Sequence, residues 1–376
     1  MVFTLTNVGV LFGGPSPEHD VSVLTGLQAC RSLSASGRYT RVETIFWSKN
    51  GDFFLVHGDR EAKEFADGAP KDAEPLTLVS GSEGGFVVRK GRLNAKYELI
   101  DLDAVVICAH GGPGEDGSLQ GALDLAGVAY TGPSTASAAL GMDKFATGEV
   151  VRGAGLPTLD RFVLTEDLTS LPIDGPYIVK PRFGGSSIGI DVVHDFATAK
   201  ARLRANVHLR RGAVIEAYRA DLHDLQIALC TYPILELSAI ERPLRAANSR
   251  EILNYQDKYV GGTGMDAAAR QLPAEIPDEL AQALRAAATR AASVLGVRGI
   301  ARIDFLSDGQ TFMLNEINTI PGSLSKHLFI DPPVHFDELL WRMLSEAKER
   351  PAAQFNSAGA DGSLLRDAKS ISVKLG

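Results

Sequence analysis

Residues 104–109 (AVVICA) are apolar without interruption and stop at a glycine-rich loop, His110-Gly111-Gly112-Pro113-Gly114-Glu115-Asp116-Gly117. So short an unbroken apolar run, bounded by turn residues, predicts a strand buried on both faces. After the loop, Leu119, Leu123 and Ala126 fall on one side of a helix. The chain opens with the same unit. Residues 7–12 (NVGVLF) end at Gly13-Gly14, and Val23, Leu24, Leu27, Cys30 and Leu33 follow at helical spacing beyond Pro15-Ser16-Pro17. Strand, glycine-rich loop and helix in alternation predict an α/β fold. In open α/β sheets the loops beyond the C-terminal ends of strands are where ligands bind. The 38 glycines gather in such loops without a fixed period, which predicts backbone held close to a ligand and excludes a fibre.

The rest of the chain divides by pattern. Residues 1–140 read as an N-terminal α/β domain, with strands at 41–47 and 53–56 and a turn-rich stretch at 57–97 that gives little signal. Residues 141–216 read as a small β-rich lobe with strands at 161–164, 176–180, 190–192 and 213–218. Residues 217–348 read as an α+β lobe. It has strands near 225–232 and 234–240, a polar loop at 246–274, a helix at 277–295, and strands at 299–306 and 311–317 around the turn Ser307-Asp308-Gly309-Gln310. A helix at 336–347 closes it, and residues 349–376 form a polar tail. With 45% apolar and 22% charged residues the chain can bury sizeable cores. A net charge of −8 excludes a broad nucleic-acid surface. Cys30, Cys108 and Cys230 lie too far apart for a zinc spacing. No window approaches 18 apolar residues, and no basic leader precedes an apolar run, so a cytoplasmic protein without a membrane span is expected.

Four sets of residues carry chemistry. Alternate strand residues share a face, so Arg302 and Asp304 point one way, and so do Glu316 and Asn318 on the neighbouring strand. Two carboxylates, an amide oxygen and an arginine then converge, a set of hard oxygen donors that suits Mg²⁺ when phosphates complete the shell. The plain alternative is an edge hairpin with a surface ion pair. The second set is Lys180-Pro181-Arg182-Phe183-Gly184-Gly185-Ser186-Ser187-Ile188-Gly189, which serves either as amides wrapped round phosphate oxygens or as a tight hairpin turn. Lys144 alone on a helix reads as solvated. The third set is the pair of strand-end loops. There Glu18 either faces a substrate ammonium or caps the helix, and His110 either moves a proton or orients its loop. The fourth is Lys258-Tyr259 in the long polar loop, a lid or surface decoration.

Taken together, the motifs resemble the D-alanine–D-alanine ligase family of the ATP-grasp superfamily. GGxSxExxVS (13–22), HGxxGEDGxxQG (110–121), YTG and MDK (130–144), KPxxxGSSxG (180–189), KY (258–259), RxDF (302–305) and NExNTxPG (315–322) stand in family order over residues 7–345. The resemblance implies an ATP-grasp fold with ATP between the central and C-terminal lobes. It implies a ligase that phosphorylates the carboxylate of one D-alanine and joins it to the amine of a second for cell-wall synthesis. The implied alternative is a relative joining a different amino acid or amine acceptor in specialised metabolism. A catalytically silent ATP-binding scaffold is disfavoured by the intact Arg302, Asp304, Glu316 and Asn318 set. Lys144, Lys180, Ser187 and Lys258 match the nucleotide side. Glu216, Ala217 and Tyr218 match the hinge that reads adenine, and Asp224 the ribose acid, one residue further on than usual. Asp304, Glu316 and Asn318 match the ligands of two Mg²⁺ ions, with Mn²⁺ as a substitute. Arg302 and the amide of Gly322 match the oxyanion donors. Glu18 matches the residue that binds the first ammonium, and Glu18, Ser186 and Tyr259 match the set that ties the lid shut. His110, His327 and Leu328 fall at substrate positions. The Lys258-Tyr259 pair favours an amine over a hydroxyl acceptor. A homodimer is also implied.

The departures from the family pattern cluster near the acceptor. In residues 323–328 (SLSKHL) Leu324 stands for a usual threonine and His327 for a usual serine, both of which help hold the acceptor carboxylate. Phe183-Gly184 replaces a more polar pair, Gly148 stands where a second lysine is common, and Leu253 replaces a common tyrosine.

Overall fold

Every residue of the first apolar run is buried, because it becomes the central strand of a parallel core. The computed structural model describes residues 5–90, 96–244 and 269–366. Its N-terminal sheet holds β1 (Asn7–Gly13), β2 (Arg41–Trp47), β3 (Phe53–Val56), β4 (Glu74–Val79), β5 (Gly85–Lys90), β6 (Lys96–Leu99) and β7 (Ala104–Ile107), in the order 6-5-4-3-2-1-7. β1 pairs in parallel with β2 and β7, and the remaining pairs are antiparallel. The strand order reverses at β1, so a crevice opens beyond the ends of β1 and β7. Helix α1 (His19–Ser36) follows β1 and ends at left-handed Gly37, and α2 (Ser118–Leu125) follows β7. Ser22 of α1 ties the two strand ends together. Its hydroxyl accepts from the Gly13 amide and donates to the Cys108 carbonyl, both at 2.7 Å.

Helices α3 (Thr135–Met142) and α4 (Lys144–Gly153) lead to the central sheet. It holds β8 (Arg161–Leu164), β9 (Tyr177–Pro181), β10 (Asp191–Val193) and β11 (Ala213–Ala217) in the order 10-9-11-8. Its own small core gathers Leu164, Val179, Leu209 and Ile215, with α5 (Phe196–Ala205) alongside.

The third sheet holds β12 (His223–Cys230), β13 (Glu236–Pro243), β14 (Arg270–Gln271), β15 (Ile300–Ser307) and β16 (Phe312–Asn318) in the order 14-13-12-15-16, antiparallel throughout. One face packs on α6 (Asp278–Val294), burying Ile227, Leu284, Ile303 and Phe305 together. The other face, alternate along each strand, is left for polar groups. Between β15 and β16 the register slips, so Phe305 opposes Leu314 but Asp304 opposes Glu316. Asn315 is the extra residue of this bulge. In regular pairing without the bulge, Glu316 would share the core face with Leu314. Among the described residues no helix is long and apolar enough to cross a membrane.

The first and third sheets are joined through one core. Leu324, Leu328 and Phe329, with Leu339, Leu340 and Met343 of α7 (Phe336–Glu349), pack in the same apolar cluster as Val10, Leu11 and Ile107. Glu115 clasps the two loops above that cluster. Its carboxylate accepts from the Ile320 amide at 2.9 Å, the Thr319 hydroxyl at 3.2 Å and the Gly111 amide at 3.1 Å. Burial, then the nearby Glu18 carboxylate, push the Glu115 carboxyl from an ordinary 4.5 up to about 7. The folded state therefore binds more protons than the unfolded chain between those values. This contribution to stability is complete below pH 4.5 and is lost as pH rises through 7. By urea denaturation, wild type should lose about 3 kcal/mol relative to Glu115→Gln between pH 5 and pH 8. Identical pH profiles for the two proteins would contradict this.

Candidate active site

One cavity of about 490 Å³ is lined by polar side chains from the second and third sheets and from the loops beyond β1 and β7 of the first. At one end lies a buried ion cluster. The Lys180 ammonium pairs with the Glu216 carboxylate, which also accepts from Arg161 Nε at 2.8 Å. Arg161 Nη1 donates to the Lys144 carbonyl at 2.8 Å and Lys180 reaches Asn315 Oδ1 at 3.4 Å. Burial alone would raise the Glu216 carboxyl, but the Lys180 and Arg161 charges outweigh it and hold it below its ordinary range. Two cations against one anion leave this corner positive, as a phosphate site requires.

Lys144 is not solvated. It is the first residue of α4, its ammonium donates to the Gly184 carbonyl, and it lies 3.4 Å from Glu316. Asp143 fixes that helix start by accepting from the Phe145 and Ala146 amides at 3.1 Å and from Arg182 Nε at 2.8 Å. The lysine thus holds the glycine-rich loop against β16.

The third sheet presents Arg302, Asp304, Glu316 and Asn318 on its cavity face, in register across β15 and β16. Arg302 grips Asp304 through Nε and Nη2 at 2.7 and 2.8 Å, and Asn318 Nδ2 donates to the same carboxylate at 3.0 Å. Among the described residues no three His, Cys, Asp or Glu side chains gather into a closed metal cage. Two carboxylates and an amide are a partial set of hard oxygen donors. That set fits Mg²⁺ whose remaining ligands are phosphate oxygens and water.

Glu18 sits where the first strand-end loop meets the glycine-rich loop, and Ser186 Oγ donates to its carboxylate. Two glycines make room for it. A Cβ on Gly111, which has φ +63°, would lie 2.1 Å from Glu18 Oε2, and one on Gly185 would lie 3.1 Å from the same oxygen. In the glycine-rich loop itself two serines, Ser186 and Ser187, take the left-handed conformation at φ 52° and 57°, as does Gly189 at φ 78°. At the far end Glu241 of β13 lies 3.1 Å from Arg270 Nη1 and 3.5 Å from His327 Nε2. Burial opposes ionisation of Glu241, but His327, Arg270 and Arg302 outweigh it and keep its carboxyl below the ordinary range.

Several expectations need correction. His110 lines the cavity but is 3% exposed, and both ring nitrogens are committed, Nδ1 to the Ile320 carbonyl and Nε2 to the Thr25 hydroxyl, each at 2.8 Å. It orients its loop and has no nitrogen left for proton transfer. Leu328 is fully buried in the apolar core and its side chain does not reach the cavity; Leu324 is equally buried. Glu216 lines the cavity and directs its carboxylate at Lys180 and Arg161, and the Tyr218 amide donates to the Pro176 carbonyl at 2.8 Å. Ala217, Tyr218 and Asp224 do line the cavity, as do Ser187, Gly322 and His327. Lys258 and Tyr259 lie outside the described residues. Arg161, Glu241, Asn315 and Glu115 were not singled out by the sequence reading. Arg161 heads a short apolar strand and Glu241 follows the apolar pair Ala239-Ile240, positions that local pattern does not mark as functional.

Two family models match the chain, one described as the D-ala D-ala ligase N-terminus over residues 7–133 and one as the D-ala D-ala ligase C-terminus over residues 164–344. The D-alanine–D-alanine ligase of Campylobacter lari is 33% identical over 326 residues, covering 86% of this chain and 89% of that one. The D-alanine–D-alanine ligase of Mycolicibacterium gilvum is 32% identical and covers 91% and 97%. The crystal structure of D-alanine–D-alanine ligase from Helicobacter pylori matches with a TM-score of 0.71 at 27% identity, over 93% of this chain and 100% of that chain. The VanG D-Ala:D-Ser ligase of Enterococcus faecalis shares the fold, with a TM-score of 0.73 at 22% identity over 91% and 99%. The chain belongs to the D-alanine–D-alanine ligase family, ATP-dependent ligases of the ATP-grasp fold.

Proposed function

We propose that this chain joins two molecules of D-alanine at the expense of ATP and so supplies a dipeptide for peptidoglycan. The observation that carries the reading is the convergence, on one cavity, of the Arg302, Asp304, Glu316 and Asn318 face with Lys180 and Lys144. A carboxylate is a poor acyl donor because its leaving group would be oxide. In the proposed reaction an oxygen of the first D-alanine carboxylate bonds to the γ-phosphorus of ATP, and the bond to ADP breaks. Lys180 and Lys144 oppose the negative charge of the phosphates. Asp304, Glu316 and Asn318 would hold Mg²⁺, which when bound neutralises charge on the phosphoryl group. Glu18 receives the ammonium of the first substrate. The amine of the second D-alanine then bonds to the acyl carbon, the carbonyl pair moves onto oxygen, and inorganic phosphate departs as that pair returns. The nitrogen gives up its excess proton to the departing phosphate, which leaves as hydrogen phosphate. Arg302 and the Gly322 amide face the oxyanion, where loss of one donor typically costs about 3 kcal/mol. The Ser186–Glu18 contact keeps the glycine-rich loop over the site, which excludes the water that would hydrolyse an acylphosphate.

A second reading, the same chemistry with a different amine acceptor, is supported by the Glu241, Arg270 and His327 group in the cavity wall. His327 is larger than the serine usual there and is held by a carboxylate.

Phosphate release from Mg-ATP, screened with D- and L-amino acids singly and in pairs and followed by product mass, should give D-alanyl-D-alanine from D-alanine alone. Turnover only with another pair would favour the second reading. Glu316→Gln should reduce turnover at least about 100-fold with the fold intact by circular dichroism; normal turnover would remove it from the metal face. His327→Ser should lower KM for the acceptor D-alanine severalfold, and an unchanged KM would move the specificity question to another residue.

A further inference from the structure

Three hydrogen bonds run as a ring around the dipeptide Pro321-Gly322. His110 Nδ1 meets the Ile320 carbonyl at 2.8 Å, His110 Nε2 meets Thr25 Oγ1 at 2.8 Å, and the Ser323 amide donates to Thr25 Oγ1 at 3.1 Å. The proton positions follow from the partners. A carbonyl only accepts, so Nδ1 carries the ring proton. Nε2 is then a lone pair, so the Thr25 hydroxyl donates to it, and the threonine oxygen accepts from Ser323. Each donor is used once. Thr25 is fully buried and the ring closes without water. Burial lowers the His110 pKa to about 4, which keeps the imidazole in the neutral form this direction demands.

The backbone after Gly322 needs such a holder. Ser323, Leu324 and Ser325 take the left-handed conformation in succession, at φ 47°, 49° and 48°. Non-glycine residues resist it. The first amide of that turn is the one Thr25 receives. On the other side Glu115 takes the Ile320 amide.

We propose that Thr25, which makes no contact with the reacting atoms, is a positioning residue that holds the Gly322 amide in line with the developing oxyanion through His110 and Ser323. The inference rests on the reading that Gly322 donates to that oxyanion.

The test compares Thr25→Val, which keeps the shape and loses the hydroxyl, with Thr25→Ser, which keeps the hydroxyl. Thr25→Val should lower kcat about 30-fold or more, in the range of a misplaced oxyanion donor, with KM for ATP within about 3-fold of wild type. Thr25→Ser should return kcat to within about 3-fold. Affinity for a phosphinate dipeptide analogue, tetrahedral at the reacting centre, should fall in step with kcat while ADP affinity stays constant. If Thr25→Val does not fold, Thr25→Ala carries the same comparison. An unchanged kcat, a loss that serine does not restore, or ATP and phosphinate affinities that fall together would overturn the inference and leave the ligase reading standing. Wild-type enzyme that turns over only another amino-acid pair overturns the D-alanine reading instead, and the variants are then compared on that pair. A wild type inert toward every pair overturns both.

Discussion

The site depends on a constraint set by the backbone. A loop that aims an amide at a reacting centre cannot tie up its neighbouring amides and carbonyls in a sheet ladder, yet those groups are buried and must be paired. Residues 319–323 meet this with side chains from the other end of the sequence. Glu115 takes the Thr319 hydroxyl and the Ile320 amide, His110 takes the Ile320 carbonyl, and Thr25 takes the Ser323 amide. All three donors of support stand at or beside the crevice where the strand order of the first sheet reverses. The parallel core around β1 therefore governs geometry in a loop roughly 200–300 residues away in sequence, and the shared apolar cluster under the loop keeps the two parts in register.

The charges of the cavity follow a second rule. Each basic side chain facing it meets an acid: Lys180 with Glu216, Lys144 with Glu316, Arg302 with Asp304, Arg270 with Glu241. Such pairs hold charges that would be expensive to bury singly. They also set up an exchange. In the proposed reaction the phosphates of ATP would take over part of the lysine charge, and Mg²⁺ would take over part of the acid charge. Arg161 stands behind Lys180 and Glu216, so that corner remains positive throughout.

Much of this was legible in the sequence because it follows from local rules. Strand alternation alone puts Arg302 with Asp304 and Glu316 with Asn318, and the unbroken apolar runs of β1 and β7 announce a buried parallel core. The antiparallel extension β4 to β6 was not legible. It buries few side chains, chiefly Leu76, Phe86 and Val88, and β6 is exposed at every position, so its burial signal is short and weak. Lys144 read as a solvated lysine because its partners, the Gly184 carbonyl and Glu316, are far away in sequence. Leu328 was misplaced, and the two roles of His110 were left open, for a related reason. A residue beside a substrate motif can serve the loop or the core, and only packing decides which.

The bulge at Asn315 gives the strand a fixed count. Were all seven residues of β16 kept in regular alternation without the bulge, Glu316 would fall on the same face as Leu314, toward α6. The same extra residue carries Asn315 Oδ1 to Lys180, across the gap between two sheets. The bulge therefore serves both the cavity face of β16 and the contact between two sheets.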